Sequence, residues 1–168
     1  MISLPLVYTV LALITYTTSF WYLFIRLMSQ RSPNLLNYAL MVGLGLVLHG
    51  TVLYQDMMTP FGVNYDVFNL LSFTFGLMLA LSLILSLIRP ILPLNLIGIP
   101  VAAFGLILGF AFSQPTQVVN NHNFWLDLHI ILSLSAYAIL LMATIHALLL
   151  WFQDRELKKK QKRRIWVN

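Results

Sequence analysis

Phe124 to Phe152 reads FWLDLHIILSLSAYAILLMATIHALLLWF, and this stretch decides the class of fold. It is apolar for far longer than the core helix of a soluble domain. Twenty-nine residues of helix reach about 43 Å, beyond the roughly 30 Å of a bilayer's hydrocarbon core. Its first turns, with Trp125 and Asp127, are therefore expected at a membrane interface, where Trp is favoured and a carboxylate keeps its water. Two histidines lie inside it, His129 and His146. They are 17 residues apart, about 25 Å along a straight helix, and about 100° apart around it. They cannot share one metal.

The whole chain extends that reading. Of 168 residues, 60% are hydrophobic and only 9% are charged, with mean hydropathy +0.84. Soluble domains carry about 25% charged residues, so this chain cannot cover a water-facing surface. Four more apolar runs precede the first: Leu4–Ile25, Tyr38–Tyr54, Val67–Ile88 and Leu94–Phe112. Short links with turn residues separate them, at Arg31-Ser32-Pro33-Asn34, Thr59-Pro60-Phe61-Gly62, Arg89-Pro90 with Pro93, and Gln114-Pro115 through Asn123. The N-terminal run has no basic leader and is too long for a signal peptide. The expected fold is all-α: a polytopic bundle of five transmembrane helices over 1–152, with a basic tail over 153–168.

Charge predicts the orientation. With the N-terminus outside, all ten Lys and Arg fall on the inner side, seven of them between Arg155 and Arg164. Asp56, Asp66 and Asp127 fall outside. The KKKQKRR run reads as an anchor on anionic headgroups of the lipid bilayer. It has no interleaved aromatics and no fold around it, so no nucleic-acid partner is expected.

Ionisable groups within a bilayer are costly and draw attention as functional candidates. On the fifth helix His129, Ser133, Tyr137 and Thr144 share a sector about 80° wide, with Ala136, Ala143 and Ala147 along its edge. Small residues mark close helix approach, so this stripe is expected to face the bundle or a cavity. His49 lies in the outer half of the second span. Gly43 and Gly50, a heptad apart, are expected to admit a neighbouring helix, as is Gly105-xxx-Gly109 in the fourth span. His122 lies in the last outer loop. Tyr65, Phe61, Phe124 and Trp125 bring aromatic walls to the same end. Imidazoles beside apolar and aromatic walls suit an iron porphyrin. Zero cysteines exclude thiolate metal sites and covalent haem attachment through CxxCH. No nucleotide-binding loop, zinc-protease motif, nucleophile elbow or intramembrane acidic pair is present, so no enzyme activity is expected. Ile97-Gly98-Ile99-Pro100 hints at a broken helix of the transporter type, though no inverted repeat accompanies it.

Phe124-Trp125-Leu126-Asp127-Leu128-His129, followed by Ser133 through Tyr137-Ala138, resembles the WL-x-x-H opening of a span in the cytochrome c assembly membrane protein family. This is the group that includes CcsA, CcmC and HemX-like proteins. The HemX-like inner-membrane branch is the more similar one, through Leu48-His49-Gly50 and Gln153-Asp154-Arg155-Glu156-Leu157-Lys158. The likeness is loose over the chain, specific in the fifth span, and covers the N-terminal portion of such proteins. It implies further spans beyond this sequence, or a subunit completed by a partner. The family's tryptophan-rich loop and second outer histidine would follow the fifth span and have no counterpart here. The resemblance implies haem, held non-covalently at the outer face of a bacterial inner membrane, for delivery to apocytochrome c. It implies His129 as the iron ligand, with Trp125, Tyr137 and His49 as further cofactor-binding candidates, and other cytochrome c assembly subunits as partners. The alternatives are a HemX-like regulator or scaffold that binds no haem, and a transporter permease component.

Overall fold

The structure is a computed structural model that describes residues 4–60, 62–89, 91–114, 118–119 and 124–165. Five helices account for nearly all of it: α1 (Leu4–Met28), α2 (Leu35–Met57), α3 (Val67–Ile88), α4 (Asn95–Phe112) and α5 (Phe124–Ile165). All five are long and apolar enough to cross a membrane. The expected spans therefore agree with the observed helices to within a few residues, except at the end of α5. There the helix runs on through the basic segment without a break, so the boundary expected at 152 falls inside one continuous element.

Local chemistry sets the helix ends. α1 closes in a Schellman arrangement: the Arg31 N–H donates to the Arg26 carbonyl at 3.0 Å and the Gln30 N–H to that of Leu27 at 3.1 Å. Gln30 takes the left-handed conformation this needs, at φ 52. The Asn34 side chain caps α2 by accepting from the Asn37 N–H, and Asp66 caps α3 by accepting from the Phe68 N–H. Pro100 lies within α4, and the helix continues through it. The helix shows no break at Ile97–Pro100, although Pro100, its sixth residue, cannot donate to the Leu96 carbonyl.

One element lies outside the all-α expectation. Strands β1 (Met58–Thr59), β2 (Gly62–Asn64) and β3 (Val118–Val119) form a small antiparallel sheet in the order β1-β2-β3. It ties the α2–α3 link to the α4–α5 link at one end of the bundle, here called the sheet end. The opposite, tail end carries Arg26, Arg31, Arg89 and the continuation of α5.

Helices α1 to α4 pack as a closed ring, each against two neighbours, with α3·α4 and α1·α2 the tightest pairs. Their buried core is Ala12, Tyr16 and Leu23 from α1, Tyr38, Val42 and Val52 from α2, Leu79 and Leu83 from α3, and Ile99, Ala102 and Leu106 from α4. Close approach of α4 to α3 follows from Gly105 and Gly109, as their spacing predicts. A Cβ on Gly105 would lie 2.7 Å from Phe75, and one on Gly109 3.0 Å from Ser72. Gly43 and Gly50 behave otherwise: a Cβ on either would meet nothing within 4 Å. They lie on the side of α2 turned away from the core, so they admit no helix. α5 stands apart, leaning mainly on α3.

Candidate functional site

Two histidines carried the sequence expectation, and the fold treats them oppositely. His49 is only 1% exposed, enclosed by α1, α2 and α3. Its Nδ1 lies 3.0 Å from the Tyr16 hydroxyl and its Nε2 lies 2.9 Å from the Ser72 hydroxyl. One ring nitrogen donates and the other accepts, and each hydroxyl can take the complementary role. The Tyr16 ring meets the imidazole edge-on, with centroids 6.0 Å apart. Gly76 makes the room: a Cβ there would sit 3.2 Å from the ring. Both nitrogens are engaged and no open face remains, so the packing leaves no coordination position for haem iron. This corrects the expectation that His49 binds the cofactor. His49 is a satisfied core residue that ties three helices through one side chain.

Around this triad the core is unusually polar. Asn69 is fully buried on the turn of α3 before Ser72. Neither its side-chain oxygen nor its nitrogen has a partner among the described residues, and the same holds for Gln55 Oε1. Toward the tail end a second buried cluster joins α3 to the start of α4. There Ser82 Oγ donates to the side-chain Oδ1 of Asn95, and Asn95 Nδ2 donates to Ser86 Oγ at 2.9 Å.

On α5 the expected stripe turns outward. His129 is exposed, as is Thr144; Tyr137 is 62% exposed and Trp125 75%; Ser133 alone is half-buried. The stripe does not face the bundle as expected. The reason lies in what anchors the helix. The Tyr65 hydroxyl donates to Asp127 Oδ1, and Ala138 is fully buried. Positions 127 and 138 lie within about 20° of each other on a helix, so together they fix its rotation. His129, about 160° from Asp127, is then directed away from the core. His146 is exposed as well. His122 and Phe61 lie outside the described residues.

Whether these residues fit haem comes down to donor supply. The His129 imidazole is exposed and makes no hydrogen bond among the described residues, so it is available as one axial ligand. Trp125 lies one turn earlier on the same face, about 40° away, as an apolar wall. Among the described residues no group of three His, Cys, Asp or Glu side chains comes together, and no second histidine faces His129. The residues fit half of a haem site.

The Tyr65–Asp127 pair also borders a groove of about 410 Å³ at the sheet end, between α2, α3 and α5. Burial and the neighbouring carboxylate of Asp127 push the Tyr65 hydroxyl up to about 12, so it stays a donor at neutral pH. Tyr65 carries no sequence signal beyond its place among outer-loop aromatics. Tyr16 had one: it and His49 are equidistant from the Ser32-Pro33 turn, so an α1–α2 hairpin sets them side by side. No protein-family model, curated protein or solved structure matches this chain.

Proposed function

We propose that this chain sits in a bacterial inner membrane and handles haem as cargo for cytochrome c assembly. In this reading the N-terminus and sheet end face outward, and the ten basic residues hold the tail end on the cytoplasmic side. His129 supplies one axial nitrogen to the iron. Trp125 and Tyr137, on the same exposed half of α5, offer apolar and aromatic surface to the macrocycle. The second axial ligand comes from outside the described residues, and apocytochrome c is the recipient. Binding and release, rather than turnover, is the chemistry required of these side chains. The observation that carries the reading is the exposed His129 imidazole, which makes no hydrogen bond among the described residues, in the first turns of a membrane-length helix.

The test is the visible spectrum of the full chain in detergent with added haem. A Soret band with low-spin features is expected in the wild-type protein and in His146→Ala, and is expected to disappear in His129→Ala. Absence of any specific band in the wild-type protein overturns the haem reading.

A second reading has its own support. Buried residues make up only 6% of the apolar window of α5, against 44% for α3. A helix with so much open surface also suits a scaffold or regulator that docks α5 on a partner's helices and holds no haem. Equal pull-down of partners by wild-type and His129→Ala chains, together with a featureless spectrum, would favour it.

A further inference from the structure

Asn69 is fully buried in the ring, yet its side-chain oxygen and nitrogen both lack a partner among the described residues. An amide side chain carries two donors and an oxygen with two lone pairs. Taking all of them out of water unpaired is costly, and buried polar groups are bonded almost without exception. Asn95, also fully buried, is satisfied by protein alone, through Ser82 and Ser86. The place of Asn69 is specific. It lies one turn before Ser72 on α3, and residues at that spacing have Cβ atoms about 5–6 Å apart. Ser72 is bonded to His49, and His49 to Tyr16. A chain of three hydrogen-bonded side chains therefore ends one turn from an unpaired amide. Side chains are smaller on that side of the triad. Toward the sheet end, the fully buried apolar side chains of the ring are Ala12 and Val52, and α4 presents Gly109 to Ser72. The large ones, among them Leu23, Leu79, Ile99 and Leu106, lie toward the tail end.

We propose that Asn69 binds a buried water molecule that bridges its amide to the Ser72 hydroxyl. Tyr16, His49, Ser72, the water and Asn69 then form one hydrogen-bonded chain across three helices. One water spans about 5.5 Å between two polar atoms, which matches the separation along a helical turn. Water both donates and accepts, so it completes the chain for either tautomer of His49. Buried waters make about three hydrogen bonds, to groups that the protein itself leaves unsatisfied. The chemistry selects an uncharged ligand. Neither a carboxylate nor a Lys or Arg belongs to this chain of side chains, so nothing in it holds a cation or an anion. The site lies inside the ring and is independent of His129, so its test does not depend on haem.

Proton-detected solid-state NMR of the isotope-labelled full chain in lipid bilayers tests this. A cross-peak between the Asn69 side-chain amide protons and water is expected in the wild-type protein. None is expected at Asn95, which is equally buried but bonded to serines. This first measurement needs no variant, so it stands whether or not a substitution folds. Asn69→Leu keeps a side chain in the place of the amide but cannot bind the water. It should move the ring-nitrogen resonances of His49, because the chain is then cut beyond Ser72. A resolved Asn69 amide with no water cross-peak overturns the proposal. So does a cross-peak of equal strength at Asn95, since hydration would then not follow the unpaired amide. His49 resonances that stay in place in a folded Asn69→Leu protein would also overturn it, by showing that Asn69 is not joined to the triad.

Discussion

The ring of α1 to α4 and the fifth helix are built from the same apolar alphabet, yet they hold their polar groups in opposite ways. Within the ring, two buried clusters of polar side chains bond across helices: Tyr16 and Ser72 to His49, Ser82 and Ser86 to Asn95. On α5, Asp127 accepts from Tyr65 at the sheet end, while most of the other polar groups bond to their own helix or stand exposed. Ser135 and Thr144 donate to carbonyls one turn back. His129 and His146 have no cross-helix partner among the described residues. The contrast separates a part whose polar groups specify packing from a part whose polar groups are available to something else. Composition alone does not distinguish the two, since both are apolar helices with sparse Ser, Thr and His.

The largest effect that could break this distinction is at the two histidines. His49→Ala removes a buried ring, leaves a cavity among three helices and orphans two hydroxyls, at an expected cost of about 3 kcal/mol. His129→Ala should change stability by no more than about 0.5 kcal/mol, as for exposed positions generally. Unfolding of both variants in mixed micelles measures this directly. Equal losses would mean that α5 is as much a part of the core as α2.

Glycines sharpen the comparison at a smaller scale. Gly105→Leu drives a side chain into Phe75 and is expected to cost about 1–3 kcal/mol by overpacking. Gly43→Ala, with open space around it, should instead stabilise by about 0.5–1 kcal/mol through helix propensity. Thermal melts of the two variants are expected to shift in opposite directions. Shifts of the same sign would contradict the packing of α3 on α4.

The smallest expected effect is at the joint between the two regions. The fold holds Tyr65 protonated, moving it from the ordinary 10 up to about 12. A raised value stabilises the fold fully below pH 10, and this contribution fades as pH climbs through about 12. Stability should therefore fall over that window in the wild-type protein and fall less in Tyr65→Phe. The difference in tyrosinate absorbance between the two proteins locates the midpoint, and a midpoint at 10 would deny the Tyr65–Asp127 contact.

The five long apolar helices were legible in the sequence because length and hydropathy mark each one separately. Facing was less legible. α5 is apolar on all sides, so its stripe of His129, Tyr137 and Thr144 could be grouped but not aimed. The aim depends on Tyr65, which lies 62 residues before Asp127 and belongs to another link. His49 shows the same limit differently. Its partners Tyr16 and Ser72 lie 33 and 23 residues away, and only the pairing of helices brings them together. The small sheet left little trace, because strands of two or three residues have no periodicity to read.

Uninterrupted, α5 is a rod of 42 residues with no Pro or Gly, about 63 Å long. That is about twice the thickness of a hydrocarbon core. A rod without a hinge cannot absorb a tilt locally. Any rocking of α5 about its buried point at Ala138 must swing both ends at once, in opposite directions. The Tyr65–Asp127 contact near one end then limits the sweep of the basic end, which lies several turns beyond the far side of the bundle.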